Sequence, residues 1–329
     1  MHRVRLLGIF GTSLVSLVLV LALFGSGCAK PVVQEKPTIN LGEGNWTSNQ
    51  VLTEMFYQII SKQLGYPVER TFGYGPIIWA AMDKGEVDIA PEIWFPARRG
   101  EIQPFLDKGA IELAGEIFGG AGNYWVVPRY VVEGDPARGI EPMAPDLKTI
   151  LDLKKYWKLF ENPEKPGLGE LVGGEVGWID ESPWMILGYD LPLWKSNQSE
   201  AVMLARMIAA DKKGQPLLMV MWSPHVIFSQ VDLIKLENLD PDKTGEIDWD
   251  KDPYPLRTGL AEYTVYKVVR AELKNTAPAV YRLMQNMSVT EDEINGLTFR
   301  VDVNGEDIAI VAADWIAKNQ NKIDQWLGK

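Results

Sequence analysis

The chain has 329 residues, 46% hydrophobic and 10% aromatic, with 12 Trp and a net charge of −11. This length suits two domains better than one, and the acidic balance without a basic run argues against nucleic acid, whose phosphates need clustered Lys and Arg. One cysteine, Cys28, and two histidines, His2 and His225, exclude an intrachain disulfide and any site built from several thiolates or a histidine cluster. No metal and no cofactor is expected.

The first element is a leader. MHRVR is basic, LLGIFGTSLVSLVLVLALF is apolar, and FGSGC brings small residues up to Cys28. Residues 1–27 therefore read as a signal peptide. A lone Cys at that junction resembles the lipobox of bacterial lipoproteins, which implies acylation of Cys28 and attachment to the cell membrane. The alternative is an uncleaved anchor. In both cases the folded part is expected outside the cytoplasm. Residues 28–37 are polar, Pro-bearing and aperiodic, and read as a tether.

From Thr38 the pattern becomes α/β. TINL alternates as a strand. SNQVLTEMFYQIISKQLG has one apolar helical face, with Ser48 as expected N-cap and Gly65 as stop. PVERTF is a strand, GPIIWAAMDKG a short helix and VDIAPEIW a strand, giving a β-α-β-α-β start with parallel strands. NYWVVPRYVV reads as a strand, DLKTILDLKKYWKLF as one amphipathic helix, and ENPEKPGLGELVGG as a loop. EVGWID reads as a strand, SEAVMLARMIAADKKG as a helix and QPLLMVMW as a buried strand. A polar stretch follows, then a strand at EYTVYKVV and two or three helices.

Four tryptophans share one context. Trp46, Trp94, Trp178 and Trp222 each end a strand-like run before polar or turn residues: NWTSN, IWFPA, GWIDE, MWSPH. Ligands of such sheets sit beyond the carboxyl ends of the strands. Rings gathered there present negative π-faces, which suit a cation without hydrogen-bond donors, chiefly a quaternary ammonium. Tyr124 begins a strand nearby. His225, three residues after Trp222, is either a base, a ligand contact or a packed ring.

These pieces resemble the substrate-binding proteins of glycine betaine/choline/proline betaine ABC transporters, from about Thr38 to Trp326. The resemblance rests on NWTSNQVLTEMF with QLGYPVE, on GEVDIAPEIWFP, on the VGW turn and on MWSPHVIFSQVDLIKLENLD. It implies a two-lobed α/β periplasmic-binding-protein fold of type II, closing about a hinge and passing ligand to a permease and its ATPase. By the same resemblance, Trp94, Trp178 and Trp222 match cage tryptophans of betaine binders. Trp46 and Tyr124 match aromatic positions of choline binders, and His225 matches a histidine that contacts the betaine carboxylate. Thr47 and Ser48 stand where choline binders carry an acid, and amides near Thr47 are secondary candidates. Asp180 and Glu181 either cap the next helix or face the cation. The expected lobes are residues 38–123 with 225–329, and residues 124–224. Two other classes stay open: a sensor or scaffold domain feeding no transporter, and a secreted carbohydrate-active enzyme, although no GxSxG or HExxH motif is present.

Overall fold

The computed structural model describes residues 35–95, 99–239, 247–248, 251–260 and 262–329. Cys28 and the leader lie outside them. Among the described residues, nine strands form one sheet: β1 (Ile39–Glu43), β2 (Val68–Phe72), β3 (Ile89–Phe95), β4 (Ile111–Pro128), β5 (Gly169–Gly173), β6 (Leu193–Asn197), β7 (Met219–Ser223), β8 (Leu233–Lys235) and β9 (Glu262–Arg270). Their order is β2-β1-β3-β9-β4-β7-β5-β6, with β8 also on β4.

The sheet has two halves of the same plan. In the first, β1 lies between β2 and β3, all parallel. In the second, β5 lies between β6 and β7, again parallel. The antiparallel strands β9 and β4 join them. β4 is 18 residues long. It pairs with β9 from Ile111 to Gly122 and with β7 from Gly122 to Val126, so one strand serves both halves.

Each half buries both faces, as parallel strands require. On one face of the first half, Leu41, Leu52, Phe56 and Ile89 pack with Leu283, Leu297 and Val311 of the C-terminal helices. On the other, Ile78, Trp79 and Met82 of helix Pro76–Lys84 pack with Ile93 and Val268. The second half has the same two layers, around Trp125, Leu171 and Val220, and around Val126, Met203 and Met219. Ile227 and Val231 pack into the latter, and Leu236 and Leu260 into the former. The chain therefore returns to the first half at β9, later than the expected return at His225.

Local differences have local causes. Residues 169–173, expected as loop, form β5, because all five are buried and burial overrides the weak strand preference of Gly. EVGWID, expected as a strand, is a turn, since Gly177 takes φ +97°. The helix expected from Asp146 to Phe160 breaks into Ile150–Asp152, Leu153–Tyr156 and Trp157–Phe160. There Asp152 accepts the Thr149 amide at 2.7 Å and the Lys148 amide at 3.1 Å, which restarts the helix. Helix Thr47–Gln58 begins two residues early, with Trp46 rather than Ser48 at its N-cap, so the Ser48 hydroxyl can serve another partner.

Candidate ligand-binding site

Trp46 and Trp178 hang from the ends of β1 and β5, the equivalent central strands of the two halves. Trp94 and Trp222 lie on β3 and β7, the equivalent neighbours. The four indoles thus reach one cleft as two pairs, one from each half, and all line a cavity of about 120 Å3. Trp46 and Trp178 meet edge to face at 6.1 Å, and Trp178 and Trp222 at 5.5 Å. Two glycines make room. A Cβ on Gly44 would collide with the Trp46 ring, and one on Gly174 with the Trp178 ring.

Three lining residues escaped the sequence reading. Tyr74 stacks edge to face on Trp46 at 6.1 Å, and Trp79 reaches the cavity from the helix beside it. The third, Glu92, is an acid within the buried run IAPEIWF. The register between β3 and β9 slips between Ala90 and Ile93, a bulge centred on Pro91 and Glu92. Pro91 has no N–H to lose there, and the bulge turns Glu92 into the cavity. A proline followed by an acid inside an apolar strand was the signal.

Glu92 receives only neutral donors. Trp94 Nε1 donates to Oε1 at 2.6 Å, Trp46 Nε1 at 2.9 Å, and Ser48 Oγ to both oxygens at 3.1 Å. Burial pushes its carboxyl up to about 7, against the opposing pull of these donors, and the charge of Glu200 adds to the rise. No Lys or Arg pairs with it among the described residues. The cavity therefore combines aromatic faces with one carboxylate that has no counterion among the described residues.

The remaining expected residues lie elsewhere. Tyr124 does not line the cavity, because strand alternation turns its ring away while Asn123 faces in. Lys235 Nζ sits 3.6 Å from the Tyr124 centroid instead. His225 is buried, its ring 4.7 Å from Trp222, and both nitrogens are engaged. Nδ1 accepts the Ile227 amide at 3.1 Å, so the ring proton sits on Nε2, which faces Glu200 Oε1 at 3.0 Å. No donor is left for a ligand carboxylate, which corrects the expected role of His225. The Thr47 amide also goes to Glu200, at 2.8 Å. Asp180 accepts the Ser182 amide at 2.9 Å and pairs with Lys195 at 3.2 Å, so it starts the following helix rather than facing a cation. Glu181 is held by Asn123 at 3.1 Å and by the Tyr263 hydroxyl, behind the cavity wall.

Comparison with known proteins places this architecture. Residues 37–318 match the family described as the substrate binding domain of the ABC-type glycine betaine transport system. The trimethylamine N-oxide-binding protein of Pelagibacter ubique (strain HTCC1062) is 24% identical over 94% of this chain and 96% of its own. An ABC-transporter choline binding protein in complex with choline superposes with TM-score 0.70 at 21% identity, covering 88% of this chain and 91% of that one. Lactococcal OpuAC, in its closed-liganded conformation with glycine betaine, gives 0.69 at 21% identity, covering 89% and 100%. These likenesses establish a two-lobed binding-protein fold with its cleft between the halves. With the family matched over most of its length, the chain belongs to the substrate-binding proteins of glycine betaine-type ABC transporters, and it is a binding protein rather than an enzyme.

Proposed function

We propose that this protein captures a small ligand bearing a trimethylated, positively charged nitrogen between Trp46, Trp94, Trp178 and Trp222, and delivers it to its permease and ATPase. The observation that carries this reading is the cavity itself: two indoles from each half, closed around a carboxylate that no Lys or Arg among the described residues pairs. Each aromatic contact with a desolvated quaternary ammonium is worth roughly 0.5–2 kcal/mol. Four supply much of the ~8 kcal/mol of a micromolar complex.

Glu92 refines the ligand. Its negative charge favours a net cation, and its proton suits a ligand oxygen that accepts a hydrogen bond. A betaine carboxylate gains nothing from His225 and is repelled by Glu92 whenever that acid is ionised. Ligands without a carboxylate therefore rank above glycine betaine. The Pelagibacter relative is named for such a ligand, trimethylamine N-oxide. The functional lobes are residues 38–123 with 262–329, and residues 124–260. Cys28 carries the lipid that holds the protein at the outer side of the membrane.

Titration calorimetry against choline, trimethylamine N-oxide, glycine betaine, proline betaine, carnitine and dimethylsulfoniopropionate tests this. Micromolar binding of choline or the N-oxide, weakened more than about tenfold by Trp94→Ala and by Trp222→Ala, is the expected result. Absence of heat from all six, or full affinity in both variants, rules the cage out.

A further inference from the structure

Glu200 lies outside the cavity, yet its two carboxylate oxygens reach toward both pairs of cage tryptophans. It opens helix Glu200–Lys213 of the second half and is buried. Oε2 accepts the Thr47 amide at 2.8 Å, and Thr47 is the first residue of the helix that follows Trp46. The Thr47 hydroxyl lies between Glu200 Oε2 at 3.2 Å and Asp302 Oδ1 at 2.8 Å. Oε1 faces His225 Nε2, whose ring packs on Trp222. One side chain thus grips Trp46 through Thr47 and Trp222 through His225.

The bond to Thr47 crosses the cleft, so it exists only while the halves meet. An amide in the first turn of a helix has no partner within its own helix. When the halves part, Thr47 N–H and the Glu200 carboxylate both return to water. The contact therefore discriminates between closed and open states, which is what a residue must do to shift that equilibrium. We propose that Glu200 is the positioning residue that clasps the closed form, aligning Trp46 with Trp222 and slowing ligand release without touching the ligand. The kinetic part of this proposal rests on the binding reading above.

Two measurements on the full chain test it, with Glu200→Ala and the isosteric Glu200→Gln. In stopped-flow tryptophan fluorescence with choline and with trimethylamine N-oxide, Glu200→Ala should raise the dissociation rate about tenfold to a hundredfold, and leave association within about threefold. The loss should be the same for both ligands, and Glu200→Gln should recover part of it. In choline-saturated protein, where the halves meet, Glu200→Ala should quicken hydrogen exchange about tenfold or more at the Thr47 amide and leave it unchanged at Leu52–Phe56 within the same helix. A loss confined to one ligand, a loss in association alone, or an unchanged Thr47 amide overturns the clasp. If the wild type binds neither ligand, the binding reading fails, and Thr47 exchange compared between the unliganded wild type and Glu200→Ala decides the clasp alone.

Discussion

Glu92 and His225 exchange the roles that their residue types suggest. The histidine beside the cage is saturated by Ile227 and Glu200, while the acid in an apolar strand faces the ligand space. His225→Ala should therefore weaken every ligand alike, leaving the ratio of choline to glycine betaine affinity unchanged by calorimetry. Glu92→Gln should act selectively, costing choline at least about tenfold and glycine betaine much less, because only a net cation loses a counterion. The acid also leaves a signature in stability. Its carboxyl is raised from 4.5 to about 7 in the fold, so its contribution is complete below about pH 4.5 and is lost as pH rises through 7. The shift corresponds to about 3 kcal/mol. Asp302, raised to about 6 by burial and by Glu200, adds a change of the same sign. Thermal melts of the unliganded protein should fall between pH 5 and pH 8, and Glu92→Gln should flatten that slope. Saturating choline should stabilise the wild type more at pH 8 than at pH 5.5.

At the level of elements, two of the four cage rings, Trp46 and Trp178, depend on a glycine in the turn that carries them. Gly44→Ala and Gly174→Ala would drive a methyl group against the Trp46 and Trp178 rings, and the rings must swing out. Both variants should keep their circular dichroism and lose choline affinity by about tenfold or more. The tryptophans themselves were legible, because each stands where a strand gives way to a polar turn, and that position depends on local pattern alone. β1, β2, β3, β7 and β9 were legible for the same reason. β5 was hidden by its glycines, since a strand made by burial between two others shows little local preference. Tyr124 illustrates a different limit. Its place on β4 was read correctly, but which face it takes depends on register, and a shift of one residue exchanges Asn123 for Tyr124. The saturation of His225 was invisible because Glu200 and Ile227 meet it only in the folded chain. The helix expected between Asp146 and Phe160 failed on capping: Asp152 had the right periodicity for a helix interior and the right chemistry for a new start.

For the whole molecule, the equivalence of the two halves explains why the site is in the cleft. Neither half holds more than two of the four tryptophans, so neither alone surrounds a cation. Small-angle scattering should therefore show the ligand-bound protein more compact than the unliganded one, and Trp46→Ala or Trp178→Ala should reduce that difference. β4 sets how the halves can part. It continues from β9 to β7 without a break in the chain, and its backbone supplies hydrogen bonds to both sides. Such a strand is a shared beam rather than a flexible string, so melting one half strips partners from the other. The protein should unfold in one calorimetric transition, with the slowest-exchanging amides of both halves lying along β4. Its two lobes move as separate jaws but stand or fall as a single cooperative unit.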